Sequence, residues 1–108
     1  MVHEGYEHHR MGLELLGDYL AHVHVKNACW QKEKQMDGTA AWSVQWTSIE
    51  KGVVNWKQVL LDLKAVGYNG YIGMEDFSAS MPTKESIKHN IETINQFLAE
   101  NEAQRKLC

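Results

Sequence analysis

Cysteine is scarce in this chain: Cys29 and Cys108 are the only two in 108 residues, and they have no CxxC spacing. No export signal precedes them, so both are expected to be reduced thiols. Long apolar runs are missing as well. No stretch approaches the ~20 residues of a membrane span, and the first residues lack a signal-peptide pattern. The expectation is a cytoplasmic protein with no membrane partner. Nor is there an excess of positive charge; the net charge of -3 gives no basic footprint and argues against nucleic acid as a partner. Proline occurs once, at Pro82 in a loop. What is present, 44% hydrophobic and 23% charged residues, is ordinary for one globular domain.

The most informative stretch is Leu20-Ala21-His22-Val23-His24-Val25-Lys26-Asn27. Valines alternate with polar residues at period two, which predicts a strand with Val23 and Val25 on one face and His22, His24 and Lys26 on the other. Neighbouring helical patterns imply a βαβ arrangement with helices over the valine face. The second face then carries two imidazoles and an ammonium where a barrel interior holds packed Val, Ile and Leu. That inversion marks a candidate site.

In chain order, Met1–Gly5 is too short and polar for a full strand. A helix is predicted over residues 6–16, with Met11, Leu15 and Leu16 as its apolar stripe and Gly17 as its stop. After the central strand, residues 28–52 read as a long connection containing Trp30, Trp42 and Trp46, with a turn at Asp37-Gly38. Three tryptophans speak for an ordered and functional connection. Asn55 caps a second helix to about Val66, with Val59, Leu60, Leu63 and Val66 on one face. Gly67 ends it, and Tyr68-Asn69-Gly70 turns into the strand Tyr71–Glu75, where Tyr71, Gly73 and Glu75 share a face. Thr83 is the expected N-cap of a last helix to about Leu98, with Ile87, Ile91, Ile94 and Leu98 facing inward. The division expected is residues 1–98 as folded βα units and residues 99–108 as a polar, fraying tail.

Helix, strand, helix, strand, helix implies parallel strands with right-handed crossovers. Two parallel strands cannot bury both of their faces, and a (β/α)8 barrel needs roughly 200–250 residues. The fold class read from the pattern is therefore α/β, a piece of a larger parallel fold that opens just after a strand.

The runs MVHEGYEHHRMGLELLG, LAHVHVKNA and KGVVNWKQVLLDLKAVGYNGYIGMEDFS resemble the C-terminal part of the sugar phosphate isomerase/epimerase family. That family has the xylose-isomerase-like TIM barrel, shared with endonuclease IV, and the likeness covers nearly all of residues 1–98. The resemblance implies a C-terminal fragment of a (β/α)8 TIM barrel. It also implies a divalent metal (Mn²⁺, Mg²⁺, Co²⁺ or Zn²⁺) held by Glu, Asp, His and Glu from four strand ends. The second His of the HxH motif matches His24, and the Glu closing the last strand matches Glu75. The other two ligands would lie before Met1, so whether the chain is an enzyme by itself is left open.

In such a family the substrate is a small sugar or sugar phosphate, and a metal-bound carboxylate moves a proton to or from carbon through an enediolate. Glu75 would be a metal ligand and one of the two acid–base groups. Lys26 would stabilise oxyanion charge or hold a phosphate, and Trp30 would flank the sugar. Plainer readings stand beside these. His22 reads as a deeper, structural histidine, and Glu75-Asp76 as a strand-end charge pair. Lys26 could snorkel outward, the tryptophans could anchor their connection, and His3, Glu4, His8 and His9 read as solvated. Cys29 has no base beside it and gets no nucleophilic role. The alternatives kept open are an inosose-dehydratase-like lyase, an endonuclease-IV-like hydrolase, and a non-catalytic barrel piece that forms an oligomer or associates with a complementing chain.

Overall fold

A computed structural model describes residues 8–107, with side chains through residue 104. The elements are α1 (His9–Leu16), β1 (Val23–Val25), β2 (Asn27–Lys34), β3 (Ala40–Thr47), α2 (Trp56–Ala65), β4 (Ile72–Met74) and α3 (Thr83–Leu107), with a 3-10 turn at Gly17–Tyr19. β1 and β4 pair in parallel, with Val23 beside Ile72, His24 beside Gly73 and Val25 beside Met74. The Glu75 amide donates to the Val25 carbonyl at 2.9 Å and carries the ladder one step further.

The valine face is covered as its pattern predicts. Val25 is fully buried, and α2 lays Trp56, Val59, Leu60 and Leu63 into the same core with Ala28, Ile49 and Val54. Asn55 caps α2 by accepting from the Gln58 amide. Gly67, at φ +81°, lets the chain leave the helix by a left-handed turn.

Residues 28–52 are not a loop. Most of them form an antiparallel β-hairpin, β2 with β3, in a register from Asn27 opposite Thr47 to Lys34 opposite Ala40. The Asp37-Gly38 turn stands where expected: Gly38 has φ +85°, and Asp37 accepts from the Thr39 amide and hydroxyl. Gln31, Lys32, Glu33 and Lys34 are all exposed, so β2 shows no apolar alternation over its outer half. β3 does carry the signal, because Trp42, Val44 and Trp46 repeat at period two.

The hairpin is fastened at its base by one buried side chain. Asn27 donates from Nδ2 to the carbonyls of Ile49 and Val54, each at 2.9 Å. Its Oδ1 accepts from the amides of Ala28 and Val54. Three of these four hydrogen bonds join the start of β2 to the chain that returns from β3. Gly52, at φ +123°, passes so close that a Cβ there would lie 2.5 Å from Asn27 Oδ1 and 2.6 Å from the Ala28 carbonyl oxygen. Only glycine fits.

Two apolar stripes face differently from their sequence pattern. On α1, Met11, Leu15 and Leu16 are exposed, while Leu13 packs on the core. On α3, Ile87, Ile91 and Leu98 are exposed; Ile94 and Phe97 pack inward, and Asn90, Thr93 and Asn101 are buried. The helix also starts one residue earlier than expected: the Pro82 carbonyl accepts from the Ser86 amide, and Thr83, the expected cap, is already helical. It continues to Leu107, well past Leu98. The reason lies in its polar contacts with α2, where Asn101 donates to the Lys57 carbonyl, Lys57 pairs with Glu100 and Lys64 pairs with Glu102. Residues 99–107 are therefore helical, with Glu100, Asn101 and Glu102 docked on α2, where a fraying tail was expected.

The radius of gyration, 16.0 Å, exceeds the ~13 Å of a compact 100-residue domain. The projecting hairpin and the 25-residue α3 account for the excess.

Candidate functional site at the ends of two parallel strands

His24, Lys26 and Glu75 come together. Glu75 Oε1 lies 3.1 Å from His24 Nδ1, and Glu75 Oε2 lies 3.0 Å from Lys26 Nζ. The parallel register produces this directly: His24 is beside Gly73, and one residue beyond the paired segment on each strand stand Lys26 and Glu75. The Trp56 indole fixes the strand end from below by donating to the Lys26 carbonyl at 2.8 Å.

The Lys26 ammonium beside Glu75 holds its carboxyl below the usual glutamate range, opposing desolvation and aided by the His24 charge. Oε2 is shielded from solvent, and the Lys26 ammonium 3.0 Å away is its partner. Lys26 Nζ also lies 5.7 Å from the Trp46 ring centre and 5.6 Å from that of Phe77, within cation–π reach of both. The two rings meet at 5.3 Å. Phe77, three residues past β4, had no sequence signal. Trp46 had one in the period-two run of β3, had that run been read as a strand.

The remaining expected site residues fall as follows. His22 is exposed, not deeper than His24, and meets it edge-on at 4.5 Å between ring centres. Trp30 is on the hairpin, 46% exposed. His8 accepts from the Met11 amide and caps α1. Cys29 is a half-buried free thiol. Cys108, His3 and Glu4 lie outside the described residues.

Asp76 is not paired with its neighbour's role. It accepts from the Ser78 amide and hydroxyl, the Ser86 hydroxyl and the Asn90 amide group, tying the strand end to the first turns of α3. Burial pushes its carboxyl up, but those hydrogen bonds outweigh burial and bring it to about 2. A carboxyl depressed in the folded state stabilises fully above its unfolded value of 3.8 and loses that contribution as pH falls toward 2. Asp76→Asn is accordingly expected to cost about 1–2 kcal/mol above pH 4. In urea melts of the two proteins, that gap should close between pH 4 and pH 2; a gap independent of pH would contradict the role.

Gly73 makes room for the imidazoles. A Cβ there would lie 3.1 Å from His24 Cδ2 and 3.3 Å from His22 Nε2. Gly73→Ala should shift the His24 ring signals in an imidazole NMR spectrum while costing under about 1.5 kcal/mol of stability. Unchanged His24 signals would show that the ring does not rest on β4.

The site borders an open cleft of about 470 Å³, with His22, His24 and Lys26 along one wall and Trp46, Trp56 and Leu13 on others. Its size falls within the range of small-molecule pockets. A second hollow, of about 540 Å³, lies beyond β4 against Phe77, Ile87 and Ile91.

A divalent cation with bonds of ~2.1 Å sets neighbouring ligand atoms roughly 3 Å apart, so His24 Nδ1 and Glu75 Oε1 fit as two adjacent ligands. Among the described residues, no third His, Cys, Asp or Glu joins them in a metal-holding group. The pair is one edge of such a site, not the whole of it.

Parallel strands joined through a covering helix, with charged groups gathered just past their C-terminal ends, define a βα-barrel type of site. The family model described as xylose isomerase-like TIM barrel matches residues 1–97, and the chain belongs to that family. No curated protein and no solved structure matches it. A barrel of this kind has eight parallel strands; the described residues hold two, β1 and β4, and form part of one. Among the described residues no helix is long and apolar enough to cross a membrane.

Proposed function

We propose that the chain carries part of the active site of a metal-dependent isomerase or epimerase acting on a small sugar or sugar phosphate. The observation that supports this is the Glu75 carboxylate held between His24 and Lys26. Glu75 is ionised at neutral pH and stands where it can accept a proton from a substrate carbon. Lys26 offers positive charge to an oxyanion or a phosphate, and its two aromatic neighbours restrict where that charge can go. His24 and Glu75 would hold a divalent metal (Mn²⁺, Mg²⁺, Co²⁺ or Zn²⁺) together with ligands outside the described residues. When bound, the metal would supply Lewis-acid polarisation of the sugar oxygens. Trp30, on β2 of the hairpin, is a further candidate substrate contact.

A second reading rests on the free strand edges. Among the described residues β1 and β4 each have one side without a strand partner, and Ile87, Ile91 and Leu98 are exposed on α3. On this reading the chain works only with other barrel strands, from another copy or a complementing chain.

The test is solvent deuterium incorporation into a panel of ketoses and their phosphates, scored beside metal content, in the chain completed by the remaining strands. His24→Ala should lower metal affinity and be partly rescued by excess metal. Lys26→Met should weaken oxyanion or phosphate binding and leave metal bound. It should also move the acidic limb of the pH–rate profile upward, because the main cause of the lowered Glu75 value is gone. An acidic limb that stays in place would detach Lys26 from the reaction.

A further inference from the structure

The hairpin presents three partly exposed tryptophans. In the β2–β3 register Trp30 is opposite Val44, Lys32 opposite Trp42 and Ala28 opposite Trp46. Opposed residues share a face, and residues two apart on a strand share it too. Trp46, Trp30 and Trp42 therefore lie on one face of the ribbon and alternate between its strands, each diagonal to the next. Diagonal neighbours on a sheet face are roughly 7–8 Å apart. The indoles are 38%, 46% and 63% exposed, increasing away from the core.

This row begins at the candidate site. Trp46, its innermost member, packs on Phe77 and lies within cation–π reach of Lys26, which is itself paired with Glu75. From there the row leads outward along the hairpin and away from the strand ends.

We infer that Trp46, Trp30 and Trp42 form a stacking platform for a saccharide chain whose reacting sugar sits at Glu75, so that the substrate is a sugar linked to further sugar rings. The inference rests on the sugar reading proposed above and extends it to the substrate's size. Pyranose rings have apolar C–H faces that stack on indoles, and successive rings repeat at a spacing a row of such indoles can follow. The available area separates this occupant from a protein partner. With at most ~250 Å² per indole, the three expose roughly 350 Å² together. A standard protein interface needs ~800 Å² per partner. Two or three sugar rings need far less.

The experiment follows the indole N–H signals of the four tryptophans by NMR during titration with glucose, cellobiose and cellotriose, and with maltose and maltotriose as the other linkage. Trp56 is the internal reference, because its indole N–H is tied to the Lys26 carbonyl. In at least one linkage series, the trisaccharide should shift Trp46, Trp30 and Trp42 together and bind about tenfold more tightly than glucose. Trp30→Ala/Trp42→Ala should remove that length dependence and keep the response at Trp46. Trp30→Phe/Trp42→Phe should preserve most of it, which controls for damage to the hairpin.

Equal affinity for one ring and three, or unmoved Trp30 and Trp42 signals, would overturn the platform while a Trp46 response left the sugar site standing. If no sugar moved Trp46, the sugar reading itself would fall. Indole shifts that follow protein concentration without sugar would assign the face to a second copy of the chain, also against the proposal.

Discussion

Glu75→Gln should slow carbon–proton exchange by about two to four orders of magnitude while the fold stays in place. The amide has the size of the carboxylate, and its oxygen can keep its place beside His24 Nδ1, 3.1 Å away in the native protein. What disappears is the proton acceptor and the negative charge facing Lys26. Far-UV circular dichroism should be unchanged, since Glu75 is outside the core. Metal content should fall, and excess metal should not restore exchange as it does for His24→Ala. That contrast separates a base from a mere ligand. Near-parental exchange by Glu75→Gln, on a substrate the unmodified protein turns over, would remove this carboxylate from the mechanism.

Asn27→Leu is expected to be the most damaging single change to stability, at about 3–5 kcal/mol. Leucine is close in volume, so the loss is not chiefly one of packing. The substitution leaves the carbonyls of Ile49 and Val54 and the amides of Ala28 and Val54 without the partner they have in a site that is 1% exposed. Each buried polar group stranded in this way costs about 1–3 kcal/mol, and water entering the hairpin base recovers part of that. Asn27→Asp keeps the two accepted bonds but turns a carboxylate oxygen toward both carbonyls, so it should recover little of that loss. Chemical denaturation read by tryptophan fluorescence measures both. A cost below 1 kcal/mol for Asn27→Leu would mean that the hairpin is not held from this point.

The parts legible in the sequence are those where one face meets the core and the other does not. Val23 and Val25 against His24 and Lys26, and Asn55 before Val59, Leu60 and Leu63, show the half-buried periodicity that sequence patterns record. That contrast puts His24 and Lys26 on one strand face, whereas the place of Glu75 near His24 was expected only from the family resemblance. The outer hairpin lies in solvent on both sides of β2, and Gln31 to Lys34 carry no such contrast. The direction of α3 was hidden for a different reason. Its isoleucines give the stronger pattern, yet the helix buries Asn90, Thr93 and Asn101, polar residues that a sequence pattern assigns to the surface. Its final turns depend on Asn101 reaching the Lys57 carbonyl, a contact between positions 44 residues apart.

The parallel pairing of His24 with Gly73 has a kinetic side. These residues are far apart in sequence, whereas the β2–β3 hairpin and α2 between them are made of local contacts. Closing a loop costs chain entropy that grows with the logarithm of the open length, and a hairpin and helix already formed shorten that length, easing closure by roughly 1 kcal/mol. The hairpin and α2 are therefore set to form early, and the two strand ends to meet late. By the same logic the strand ends can part first. Hydrogen exchange at the Glu75 amide, bonded to Val25, should report an opening that leaves the hairpin amides protected, so that the groups proposed for chemistry assemble last and separate first.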